Sequence, residues 1–180
     1  MKKLLVILLV LIPIAAFSQD NSAQKPKTKF EAFSSKTGSI VKFYDISLPK
    51  MSVSYSTLET GIRVLNSESN VYFYRLVEPA TSTSRANIAM IEYSDLVEIN
   101  KALAVLISEV ESDVAANPEY LENKFRTEDG FEIGYYVREG KARWFMNFDG
   151  YGNSTVFVKK QEELVTAFKN AQTKIEELKQ

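Results

Sequence analysis

Residues 94–118 read SDLVEINKALAVLISEVESDVAANP, and the periodicity of this stretch decides what the rest of the chain can be. Leu96, Ile99, Leu103, Leu106, Val110 and Val114 recur at steps of three and four, which places them on one stripe of a helix. Glu98, Lys101, Ser108, Glu109 and Glu111 fall largely elsewhere. Asp95, with Glu98 three residues on, has the chemistry of a helix start. Asn117-Pro118 stops the run, because a proline disfavours helical geometry in the residue before it. About 21 residues at 1.5 Å each make a rod of roughly 30 Å, as long as a small domain is wide. Such a stripe needs a broad apolar partner, and the aromatic-rich segments on both sides can supply it as strands.

Upstream, Ser39–Leu48 alternates with apolar residues on both faces and is expected to end at Pro49. Ser52–Thr57 and Gly61–Leu65 are short strand candidates separated by a turn. Val71–Glu78 (VYFYRLVE) is a strand by its β-branched and aromatic content, and Ile88–Tyr93 feeds the helix. Downstream, residues 119–125 (EYLENKF) read as a short helical turn and Thr127–Gly130 as a turn. Phe131–Arg138 and Ala142–Phe148 form the arms of a hairpin. Phe131, Ile133, Tyr135 and Val137 share one face, as do Ala142, Trp144, Met146 and Phe148, and that face is expected in the core. Asp149–Ser154 reads as a turn, since it lacks the alternating carboxylates of a calcium loop. Thr155–Val158 is a strand, and Gln161–Leu178 is a second amphipathic helix with Leu164, Phe168, Ala171, Ile175 and Leu178 at helical spacing. The expected fold is α+β, a mainly antiparallel sheet of seven or eight strands with two long amphipathic helices on one face. At a constant offset of 65, Ile91 meets Val156, Ile99 meets Leu164, Leu103 meets Phe168 and Val110 meets Ile175, a pattern compatible with a duplicated βββα unit.

The N-terminus, MKKLLVILLVLIPIAAFSQ, has two lysines, an apolar run from Leu4 to Ile12 and small residues at Ala16 and Ser18. This is the pattern of a secretory signal peptide over residues 1–18. Its apolar run is shorter than the roughly 20 residues of a spanning helix, and no later run approaches that length. Residues 19–29 are polar and aperiodic and read as a tether, and residues 30–180 read as one domain. Taking Lys2 and Lys3 from the 22 basic residues leaves 20 against 23 acidic ones, a net charge of −3 for the exported chain. A nucleic-acid partner, which needs positive charge against phosphates, is not expected.

The chain has no cysteine and no histidine. Ser-His-Asp and Cys-His nucleophile systems, histidine proton shuttles and Cys/His zinc sites are therefore outside its chemistry. Neither a catalytic constellation nor a metal site nor a cofactor motif is expected. Carboxylates are the remaining acid/base groups, with Glu92, Glu128, Asp129 and Glu132 as candidates, and they read best as surface and turn charges. Aromatic residues make up 12% of the chain. Most belong to the core, but Tyr72 and Tyr74 on one strand, and Tyr136 and Phe145 on the hairpin, fall opposite the helix-facing side, with Arg143, Arg63 and Arg138 in alternation nearby. These residues would form an amphipathic platform for a partner protein, a glycan or a small apolar ligand.

The segments AAFSQ, SKTGSIVKF and LENKFRTEDGFEIGYYV give the chain a texture that resembles small exported proteins of Bacteroidetes-type bacteria. The resemblance implies a periplasmic or extracellular location and no named reaction. The function expected is a non-catalytic binding or interaction domain of the bacterial envelope. The alternatives are a carboxylate-dependent hydrolase acting on envelope polymers and a carrier of a small apolar ligand.

Overall fold

A computed structural model describes residues 28–35, 38, 40–66, 69–149 and 154–180. The expected signal peptide, most of the tether, and residues 150–153 of the turn after the hairpin lie outside the described residues. The elements run α1 (Lys29–Ser34), β1 (Lys42–Ser52), β2 (Thr57–Asn66), β3 (Val71–Glu78), β4 (Asn87–Glu92), α2 (Tyr93–Ala115), β5 (Leu121–Arg126), β6 (Glu132–Arg138), β7 (Lys141–Asn147), β8 (Thr155–Phe157) and α3 (Gln161–Leu178). The fold is α+β.

Two antiparallel meanders, β1-β2-β3-β4 and β5-β6-β7-β8, form separate four-stranded sheets, each followed in the chain by a long helix. A single bridge between Val53 and Val158, with the Ser54 N–H donating to the Phe157 carbonyl at 2.8 Å, joins β1's end to β8's end. The helices exchange partners. α2 packs on β5, β6 and β7 and reaches back to β3 and β4, whereas α3 packs on β1, β2 and β3. The two helices also touch, and Asn100 Nδ2 donates to the Phe168 carbonyl at 3.3 Å and to Gln172 Oε1 at 2.8 Å.

One core results. Ile62, Tyr74 and Ile91 of the first sheet, Ile133, Tyr135 and Met146 of the second, and Leu96, Ile99, Leu103, Leu164 and Phe168 of the helices are buried in a single cluster. The stripe of residues 94–118 is where its spacing put it, with Leu96, Ile99, Leu103 and Leu106 buried and Val110 and Val114 half-buried. The hairpin face Ile133, Tyr135, Val137, Trp144 and Met146 also lies in the core. Its turn is two residues, Glu139 at φ 54° and Gly140 at φ 69°, the left-handed pair that matches the twist of a tight hairpin.

Several expectations are corrected. The eight strands do not form one sheet, and the arrangement is more than two helices on one face, because a third helix, α1, packs at Phe73 on the other side of the first sheet. Here Phe30 and Phe33 meet the Phe73 ring edge-on at centroid distances of 5.3 and 6.2 Å. Thr28 caps this helix, with its Oγ1 accepting from the Glu31 N–H at 3.2 Å while Glu31 Oε2 accepts from the Thr28 N–H at 2.9 Å. β1 does not stop at Pro49: its register shifts between Leu48 and Met51, and this irregularity accommodates a residue that has no N–H to pair. Ser52–Thr57 and Gly61–Leu65 are not two strands, since Thr57–Asn66 is one. Residues 119–125 are not helical, and most of them belong to β5. Asp95 does not cap α2. Glu92 does, its carboxylate accepting the Ser94 N–H at 2.8 Å, and Asp95 pairs instead with Lys29 Nζ at 2.7 Å.

Candidate functional site

Side chains alternate across a strand, so the second sheet turns its remaining residues away from the core. Three cross-strand rows build this outward face. The first is Arg126, Glu132, Asn147 and Thr155; the second is Lys124, Gly134, Phe145 and Phe157; the third is Glu122, Tyr136 and Arg143. All of these but Gly134 and Arg143 line a cavity of about 450 Å³, with Tyr120 at its margin. A second depression of about 300 Å³ adjoins it across Tyr136 and is lined by Arg138, Glu139, Lys141 and Arg143.

Glycine at position 134 is required by the approach of β5. A Cβ there would lie 2.2 Å from the Asn123 carbonyl oxygen and 2.6 Å from Lys124 Cα.

At one end of the cavity the Glu132 carboxylate, 5% exposed, is held by three donors. Lys124 Nζ and Arg126 Nη1 each reach it at 3.2 Å, and Asn147 Nδ2 at 3.4 Å. Lys124 also contacts Glu122 at 2.8 Å, and Tyr120 donates to the same carboxylate. The Lys124 ammonium and the Tyr120 hydroxyl hold the Glu122 carboxyl below its ordinary range, and Glu122 in turn raises Lys124. Burying a polar group is costly unless it is hydrogen-bonded, and these donors meet that requirement for Glu132. With its oxygens engaged by three donors, Glu132 is tied into the structure of the face. Tyr120 and Tyr136 stack at 6.1 Å with 24° between their planes, and Tyr136 meets Phe157 edge-on at 6.3 Å. Arg143 and Lys141 have no ion-pair partner among the described residues.

The residues expected to form a platform are thus divided. Tyr136, Phe145 and Arg143 come together on this face, joined by Arg138. Tyr72 and Tyr74 point the other way, into the core of the first sheet. The Tyr72 hydroxyl donates to the Leu178 carbonyl at 3.1 Å, and the Tyr74 ring meets Phe168 edge-on at 5.2 Å. Both alternating sets of β3 carry buried apolar residues, so alternation alone does not distinguish them. Arg63 lies on the first sheet, bound to the Asp45 carboxylate by two bonds of 2.7 Å and placed over the Phe43 ring at 4.2 Å.

Two of the other carboxylate candidates serve the fold, and Glu128 is exposed. Glu92 caps α2, and both oxygens of Asp129 accept the Lys29 N–H, at 3.1 and 3.0 Å. Burial raises the Asp129 carboxyl, and that N–H partly offsets the effect. Among the described residues no group of acidic side chains is arranged to hold a metal ion, and no helix is long and apolar enough to cross a membrane.

A second cleft, of about 430 Å³, lies between β1 and α3, with Leu48, Met51, Thr60, Glu163 and Thr166 among its walls. Beside Thr60 the Tyr74 hydroxyl is buried with no hydrogen-bond partner. Burial raises this phenol. Thr60 is near enough to offset the effect slightly, but it is not placed to hydrogen-bond, and its own hydroxyl donates to the Pro49 carbonyl at 2.9 Å.

Comparison with protein-family models, curated proteins and solved structures returns no match.

Sequence reasoning did not find Tyr120, Lys124, Arg126 and Phe157 as members of the face. The signal was present in LENKFR, where Leu121 and Phe125 alternate with Glu122, Lys124 and Arg126 at a period of two.

Proposed function

We propose that the chain is an exported, non-catalytic binding domain of the bacterial envelope, and that it binds through the outward face of β5–β8. One observation carries this reading. The outward face of the second sheet holds two adjoining depressions lined by aromatic rings and cations. Sites of this size with mixed aromatic and polar walls are where proteins take ligands. The signal-like N-terminus supports export, and the absence of cysteine and histidine supports binding over catalysis. The two halves are further read as copies of one meander-plus-helix unit, on the strength of their common element order and the offset of 65 from β4–α2 to β8–α3.

The test is capture from envelope extract by the chain and by its Y136A/R143E variant. A species retained by the chain and lost on the variant, with unfolding midpoints alike, is the expected result. Equal capture by both refutes the assignment of the face.

The cleft between β1 and α3 favours a second reading, a carrier of a small ligand, because Leu48 and Met51 give it an apolar wall beside the polar Thr60 and Thr166. Glu163→Ala with Thr166→Trp would fill and discharge that cleft while leaving the outward face untouched.

A further inference from the structure

The two ends of the outward face of the second sheet balance their charges differently. At the end near Thr155 the cations Lys124 and Arg126 are matched by Glu122 and Glu132. At the hairpin end the cations are not matched. Arg138 and Lys141 stand directly opposite each other across β6 and β7, and Arg143, opposite Tyr136, follows on the same face. Like charges in facing positions of an antiparallel pair oppose its formation. Lys141 and Arg143 have neither an ion-pair nor a hydrogen-bond partner among the described residues, and Glu139 offsets Arg138 only at 3.7 Å, with both side chains more than half exposed. The carboxylate of the Arg143 row, Glu122 beyond Tyr136, is already held by Lys124 and Tyr120. A chain whose net charge is −1 thus gathers cations around a depression of about 300 Å³ and leaves them uncompensated.

The adjoining cavity, which shares Tyr136 with this depression, indicates what carries the compensating charge. Its apolar residues are already packed: Phe145 is 6% exposed, and Phe157 is half-buried with its ring edge-on to Tyr136. An apolar segment therefore finds little to cover. Exposed on this wall are the polar side chains of Glu122, Lys124 and Thr155, and at its margin the ring of Tyr120, 58% exposed and stacked on Tyr136. Hydrogen-bonding groups around one accessible aromatic face suit a sugar, which carries hydroxyls at its edge and C–H groups on its faces.

We propose that this face binds an acidic oligosaccharide, with the anionic substituent of one sugar in the depression among Arg138, Lys141 and Arg143 and a neighbouring ring against Tyr120 and Tyr136; the proposal rests on the reading of the face as a binding surface. Guanidinium groups present paired donors to the oxygens of a carboxylate or a sulfate ester, and either substituent supplies the missing charge.

The experiment titrates the chain by isothermal calorimetry with hexagalacturonate and with a sulfated hexasaccharide, which separate the two sources of charge, and with cellohexaose and hexaglutamate as a neutral sugar and a sugar-free polyanion. At least one of the acidic sugars should bind, cellohexaose should bind at least tenfold more weakly, and raising the salt concentration should weaken the acidic sugar. R143E and K141E should each weaken it about tenfold or more, the loss of a charge-assisted hydrogen bond together with the charge reversal. Y120A should weaken it severalfold while leaving hexaglutamate unaffected. K141E exchanges a like-charged facing pair for an oppositely charged one, so its melting midpoint should be no lower than that of the parent chain. A marked drop in the melts of both charge variants would show that these cations serve the fold and would overturn the proposal. Equal binding of cellohexaose, acidic sugars indifferent to R143E and K141E, or an affinity unchanged in Y120A also overturns it. Should hexaglutamate alone bind, or should no probe bind while Y136A/R143E still abolishes capture from extract, the oligosaccharide is refuted and the face remains a binding surface. No binding of any probe, with capture unaffected by that variant, refutes both.

Discussion

Lys124 Nζ stands between two carboxylates, 2.8 Å from Glu122 and 3.2 Å from Glu132, and so ties the edge strand β5 to the buried end of the outward face. Removing the charge of Glu132 while keeping its shape leaves Lys124, Arg126 and Asn147 around a neutral amide. E132Q is expected to cost about 1–3 kcal/mol, the range for disrupting a buried, hydrogen-bonded charge whose partners can partly relax to water. A urea midpoint indistinguishable from that of the parent chain would show that the network contributes nothing net.

Leu103 is 1% exposed and sits at the middle of the α2 stripe, within the cluster shared by both sheets. L103A is expected to lose about 2–5 kcal/mol, the transfer free energy of the removed methyl groups plus the cavity left behind. The unfolding transition should remain single, because one core serves both sheets. Two transitions by fluorescence and circular dichroism would mean that the meanders unfold independently.

Tyr74 carries a buried hydroxyl with no partner. A polar group taken from water without a replacement hydrogen bond destabilises the folded state, so Y74F is expected to be neutral or to stabilise by up to about 1 kcal/mol. Y72F should behave oppositely, losing about 1 kcal/mol with the bond to the Leu178 carbonyl. The pair of thermal melts decides this: a marked loss in Y74F would show that its hydroxyl is satisfied in solution.

The Tyr135 phenol is pushed up to about 12, by burial first and then by its 2.6 Å hydrogen bond to Asp113. A raised folded-state pKa means that the neutral form is favoured on folding. The contribution is complete below the unfolded pKa of about 10 and is lost as pH rises from about 10 to about 12. The parent chain should lose on the order of 2–3 kcal/mol across that window through this residue, and the alkaline limb of Y135F should be correspondingly flatter. Tyr74 acts in the same direction but is present in both chains, so their difference isolates Tyr135. Parallel stability curves between pH 9 and 12 would contradict the assignment.

Where one face of an element is apolar and the other polar, its orientation was legible. The stripe from Leu96 to Leu106, the Leu164–Ile175 stripe of α3 and the hairpin face of Ile133, Tyr135 and Met146 all lie where their period puts them. At β3 the same reasoning had nothing to act on, since Tyr72 and Tyr74 alternate with Phe73 and Val77 and all four are buried. At β5 a seven-residue window is too short for the period of LENKFR to outweigh the helical propensity of its Leu, Glu and Lys, and the segment is nonetheless a strand.

The sequence by itself determined the α+β class, the two long helices and their inward faces, and the exclusion of histidine and cysteine chemistry, because each follows from local period or from composition. Only the tertiary structure decided that eight strands divide into two sheets, that each long helix packs mainly on the sheet of the other half, and that α1 packs on Phe73. These depend on contacts between segments far apart in the chain, such as Val53 with Val158 and Phe30 with Phe73. Their free energy comes from the apolar surface the segments bury jointly, which no local pattern records.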